Sequence, residues 1–102
     1  MGMAILGDVL RTPSAYEPDA VVFVPDDVQD ITLFTPVLLM QHGAYGEDDV
    51  RGHRYLVEMG VIAEVLDGLG QQLGAPATPS QSLRAVLYYA KHDAFPDIDA
   101  VK

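Results

Sequence analysis

The run Val21-Val22-Phe23-Val24 constrains this chain more than any other stretch. Four consecutive β-branched or aromatic residues stopped by a proline, Pro25, have the profile of a buried strand. Asp26 and Asp27 open the turn that follows. Ile31 to Gln41 has strand propensity again, cored by Val37 to Met40, but Pro36 has no N–H to give a ladder and is expected at a sheet edge or at a bulge. His53 to Glu58 is a third candidate strand, with Tyr55 and Val57 alternating with polar neighbours. A helix running on into the next segment fits those residues nearly as well.

Helical spacing brackets these strands. Ile5, Leu6, Val9 and Leu10 predict a short opening helix that ends near Arg11 or Thr12, before Pro13, and packs as a lid on the core. After Gly60, Ile62, Leu66, Leu69 and Leu73 form one stripe with Glu64, Asp67 and Gln71 opposite, and Gly74 stops the helix. Thr78-Pro79-Ser80-Gln81 is a capping box with proline at the first helical position. The helix it opens is expected to bury Leu83, Val86, Leu87 and Ala90 and to end before Pro96. The expected fold is α+β, a small antiparallel sheet of two to three strands packed against an N-terminal helix and two C-terminal helices.

At 102 residues, 49% of them hydrophobic, the chain has the size and composition of one globular domain spanning residues 1–102. It has no cysteine, so a disulfide framework and thiolate chemistry are excluded and a reducing compartment is the default. Apolar runs such as Val37 to Met40 are far too short to span a bilayer, and Met1 to Leu10 lacks the basic start and cleavage site of a secretion signal, so a cytoplasmic location is expected. Fifteen acids against six bases give a formal charge of −9. That field disfavours nucleic acid and anionic lipid and favours basic proteins, although acidity also simply keeps small proteins in solution.

No phosphate-binding glycine loop, nucleophile elbow or paired catalytic carboxylates are present, so no enzymatic function is expected and no cofactor is implied. His42, His53 and His92 could join Asp48 or Asp49 around a divalent metal, with His42, His53 and Asp49 the set for a small metal-dependent enzyme, but their spacing matches no ligand motif. Glu47-Asp48-Asp49 lacks the spacing of a calcium loop and reads as a solvated loop tip between the glycines at 43, 46 and 52. Asp26, Asp27 and Asp30 form a second acidic cluster, open to two readings: turn chemistry or partner contact. Tyr88 and Tyr89 are adjacent on a helix, so one of them faces away from the core; Tyr88 is the less buried candidate and a possible interface anchor, with Tyr45 the other.

Taken together, Val22-Phe23-Val24-Pro25-Asp26, Thr35-Pro36-Val37-Leu38-Leu39, Val61 to Gln72 and above all Tyr88-Tyr89-Ala90-Lys91-His92-Asp93-Ala94-Phe95 resemble a family of small bacterial immunity proteins, the domain-of-unknown-function family DUF7716. The resemblance covers most of residues 4 to 98. Pro36 stands where a small polar residue or cysteine is commoner in the family. The resemblance implies a protein made beside polymorphic toxins that contact-dependent or type VI secretion delivers, and one that neutralises its cognate toxin by binding it; no active site comes with it. The expected partner is a protein toxin with a basic active-site cleft, acting on nucleic acid, met by Asp26, Asp27, Asp30, Glu47, Asp48 and Asp49 with Tyr88 or Tyr45 as anchor. An acidic adaptor or nucleic-acid mimic binding some other basic protein is the second reading.

Overall fold

The structure is a computed structural model and describes residues 2–96. Its elements follow in the order β1 (Gly2–Ile5), α1 (Leu6–Arg11), β2 (Ala20–Pro25), β3 (Pro36–Gln41), β4 (His53–Glu58), α2 (Met59–Leu73) and α3 (Pro79–His92), with short 3-10 turns at Pro13–Ala15 and Glu47–Val50. The four strands make one sheet in the order β1-β3-β2-β4, every neighbouring pair antiparallel. The α+β class is as expected, with one more strand than the two or three anticipated. The additional strand is β1, four residues long, whose apolar residues merge with those of α1 into a single helical-looking pattern.

β1 explains the placement of Pro36. The proline was expected at a sheet edge or a bulge, yet β3 is interior, flanked by β1 and β2, and Pro36 is its first residue, opposite Ile5. A first position tolerates a missing ladder donor. The irregularity lies instead in β4. Val22 pairs with Val57 and Phe23 with Tyr55, so Leu56 is an extra residue in the ladder. The bulge breaks the alternation read from the sequence: Tyr55 stands on the phenylalanine side, while Leu56 and Val57 both join the helix-side core.

Both faces of the sheet are covered at its centre. Leu6, Val9, Val22, Val24, Val37, Val57, Met59, Ile62, Val65, Leu69 and Val86 form the helix-side core, all essentially inaccessible to solvent. Each such buried aliphatic chain contributes about 1.5–3 kcal/mol. The opposite face holds a smaller cluster of Val21, Phe23, Leu38 and Met40, with Tyr45 and Val50 packed on it. That second cluster follows from topology. β3 and β4 are both antiparallel to β2 and therefore parallel to each other, so the eleven residues between Gln41 and His53 must cross the sheet from one end to the other. They do so over the Phe23 face, and Tyr45 meets Phe23 edge-on with ring centroids 5.3 Å apart.

The helices keep their predicted ends but turn slightly about their axes. Gly74 stops α2 in the left-handed conformation, φ 69°, and α2 buries Ile62, Val65 and Leu69, with Leu66 and Leu73 only partly covered. The capping box forms in both directions: Gln81 N–H donates to Thr78 Oγ1 at 3.1 Å and Thr78 N–H to Gln81 Oε1 at 2.9 Å. α3 buries Ser82, Ala85 and Val86, leaving Leu83 and Leu87 partly covered and Ala90 exposed, contrary to the expected stripe. Small residues face inward because α3 packs closely on α1 and α2.

Candidate functional site

One end of the sheet collects the loops that carry the acids singled out from the sequence. Pro25 of β2 lies opposite His53 of β4, and Pro36 of β3 opposite Ile5 of β1. The β2–β3 loop, 26–35, and the last residues of the β3–β4 crossover, 47–52, therefore meet here. Asp26 N–H donates to the Gly52 carbonyl at 2.8 Å, tying the two loops together. The loop that carries Asp26, Asp27 and Asp30 and the one that carries Glu47, Asp48 and Asp49 thus lie at the same end of the sheet, joined through Asp26 and Gly52.

Two arginines stand against these six carboxylates, and both are engaged. The Arg54 guanidinium turns onto backbone, donating to the carbonyls of Pro25 at 2.8 Å, Asp26 at 3.2 Å and Val28 at 2.8 Å. It therefore holds the acidic turn in shape without neutralising a carboxylate. Arg51 pairs with Asp48. Asp49 is engaged as well: its carboxylate accepts the Gly46 N–H at 2.8 Å and closes the 3-10 turn. The side chains of Asp26, Asp27, Asp30 and Glu47 are exposed and have no hydrogen-bond or ion-pair partner among the described residues. The turn-chemistry reading of the Asp26–Asp30 cluster fails on this point, because Arg54 and backbone groups do what the aspartates were expected to do.

The two tyrosines are not brought to this surface together. Tyr45 is half-buried on Phe23 and fastens the crossover to the sheet. Tyr88 is stacked on His92 at 4.3 Å. It lies nine residues along α3 from Pro79, about 14 Å of helix away from the end where the acids gather. The closing Tyr-Tyr-x-x-x-Asp-Ala-Phe pattern works as a helix stop. Asp93 adopts the left-handed conformation, φ 54°, and donates its N–H to the Tyr89 carbonyl at 2.7 Å. Phe95 then folds back edge-on to Tyr89 at 5.3 Å.

The histidines are dispersed. His42 is exposed where the crossover begins, His53 Nδ1 lies 3.1 Å from the Arg51 carbonyl, and His92 is on Tyr88. Among the described residues no three His, Asp or Glu side chains are grouped to hold a metal ion. No helix of the described residues is long and apolar enough to cross a membrane. Among the described residues Tyr55 alone is clearly perturbed: partial burial pushes its hydroxyl above the ordinary 10.0, and the charges of Glu58, Tyr89, Asp93 and Tyr45 push in the same direction.

Two residues of this end escaped sequence reading. Arg54 was not singled out; only the strand register, which sets it opposite Val24, places it beside the Pro25 turn. Phe34 is 84% exposed in the β2–β3 loop, beside Ile5 and Pro79. Its signal was available, since it sits inside Thr32-Leu33-Phe34-Thr35, where paired threonines hydrogen-bond to the backbone of a turn.

No curated protein and no solved structure matches the chain. The family model described as domain of unknown function DUF7716 matches residues 3–98, and the chain belongs to that family.

Proposed function

We propose that this chain is an immunity protein: it binds a cationic protein toxin, one that acts on nucleic acid, and blocks it by covering its active-site cleft. The observation that carries this reading is the acidic end of the sheet. Two loops are hydrogen-bonded side by side there, the arginines between them are engaged with backbone or with Asp48, and Asp26, Asp27, Asp30 and Glu47 are left exposed and unpartnered. Uncompensated like charges on a fixed scaffold cost stability in the isolated domain, which is common where a surface is kept for a partner. Opposed to a basic cleft, the same charges speed encounter and set orientation. A nuclease-like cleft, built to hold phosphates, has the complementary sign.

Co-expression with the toxin encoded next to this chain tests the reading. Growth is rescued by the native chain and lost again when Asp26, Asp27, Asp30 and Glu47 are changed together to their amides. A neighbouring gene that encodes no toxin, or rescue that survives the fourfold change, would sink it.

A further inference from the structure

We propose that Phe34 is the apolar anchor of this docking surface and that its occupant is an apolar socket, rimmed by lysine or arginine, on a basic protein. The inference rests on the reading above and names the contact through which the acidic end would grip. Exposed phenylalanines scattered singly over a surface need no explanation. Phe34 differs because its backbone is fixed and because Ile5, Leu33 and Pro79 extend its apolar surface.

The turn that carries it is fastened from both sides. Thr32 N–H donates to the buried Thr35 hydroxyl at 2.8 Å and Phe34 N–H to the Thr32 hydroxyl at 3.2 Å. Thr35 N–H returns to the Thr32 carbonyl at 3.1 Å, and Gly7 N–H donates to the Leu33 carbonyl at 2.8 Å. Gly7 is what permits that approach, since a Cβ there would stand 2.9 Å from the Leu33 oxygen. Beside the ring, Ile5, Leu33 and Pro79 border an open depression of about 230 Å³, whose lining also includes the mutually paired Asp8 and Arg11. Ile5 is 40% exposed, and Met3, on the same side of β1, is 70% exposed. A preorganised aromatic side chain buries about 150–250 Å² with little left to lose in ordering, which is the profile of an interface hot spot.

Charge selects the occupant. Asp30 precedes Phe34 by four residues in the same loop, and Asp26 and Asp27 lie just beyond it. A second copy seated on this patch would set two acidic ends of chains carrying −9 each against one another. A basic protein would instead bring cations to the unpartnered carboxylates of the same loop while its apolar socket takes the ring.

Photo-cross-linking in the full chain tests this. Benzoylphenylalanine is the probe, placed in producing cells at position 34, at position 27, or at the exposed helix position 72 as control. The expected adducts are with one basic protein from positions 34 and 27 and none from 72. Titrated against that purified protein, Phe34→Ala binds about 30-fold more weakly or worse, with its dependence on salt unchanged and its unfolding midpoint equal to that of the native chain. An adduct from 27 but not 34, or Phe34→Ala binding as tightly as native, overturns the anchor and leaves the acidic reading standing. Adducts from neither position overturn both. An adduct with a second copy of this chain overturns the choice of occupant.

Discussion

Replacing Arg54 by alanine removes a side chain that fastens the acidic turn to the sheet. Its guanidinium makes three charge-assisted hydrogen bonds, two at 2.8 Å and one at 3.2 Å, to carbonyls of Pro25, Val28 and Asp26. Such bonds are worth about 1.5–3 kcal/mol each when desolvated. Here the group is half-buried and one bond is long, so about 2–4 kcal/mol in total is the expected loss. For a domain of this size that lowers the thermal midpoint by roughly 10–20 °C, a large share of the ordinary margin of stability. Arg54→Lys keeps the charge but not the planar fork and loses about half as much. Urea unfolding followed by circular dichroism reads the change as a shifted midpoint at constant slope. Hydrogen exchange locates it, because the Val28 N–H bonded to the Pro25 carbonyl and the Asp26 N–H bonded to Gly52 open with the turn. A destabilisation of Arg54→Ala below about 0.5 kcal/mol, within the usual range for a surface substitution, with both amides as protected as in the native chain, would refute the assignment of Arg54 as the clamp.

Three further outcomes follow from the geometry. Gly7→Ala, which helix propensity alone would make stabilising by about 0.5–1 kcal/mol, destabilises by about 1–3 kcal/mol in urea unfolding, because the new Cβ meets the Leu33 carbonyl oxygen at 2.9 Å and backbone cannot turn aside. Thr78→Ala removes the acceptor for Gln81 N–H and costs about 1 kcal/mol, read as a lower midpoint with the fold intact; Thr78→Ser recovers most of it. The Tyr55 hydroxyl is held above 10.0 by burial first and by Glu58 next, so the folded chain binds its proton more tightly than the unfolded one. The stability this supplies is complete below pH 10.0 and is lost as pH rises through the higher folded value. Tyr55→Phe should therefore show a flatter loss of stability on the alkaline side, and an identical alkaline profile in the two proteins would contradict it.

Elements with strong local chemistry were legible in the sequence. Val21–Val24 needed only its composition, α2 its spacing and Gly74, and α3 its capping box, because each of these acts over a few residues. What the sequence hid depends on register. β1 is too short to declare itself beside α1, and its pairing with β3 moved Pro36 from an edge to an interior strand's first position. The bulge at Leu56 reverses the side on which half of β4 lies, and period-two reading has no means of sensing an inserted residue. The acids of the candidate site were all picked out, but the tie between their loops was not, since only the antiparallel order β3-β2-β4 forces the crossover to end beside Asp26. Arg54 was missed for the same reason, since it is defined by the turn it reaches across the sheet, whereas the threonine pair that fixes the Phe34 turn stood in the sequence unread.

The central claim is that unpartnered carboxylates at one end of the sheet recruit a basic protein. Stopped-flow association with the cross-linked partner, at low and at physiological salt, tests it most directly. Changing Asp26, Asp27, Asp30 and Glu47 together to amides should slow association by about tenfold or more at low salt and flatten its dependence on ionic strength, while the isolated variant becomes slightly more stable. Association rates and salt dependence equal to those of the native chain would contradict the account.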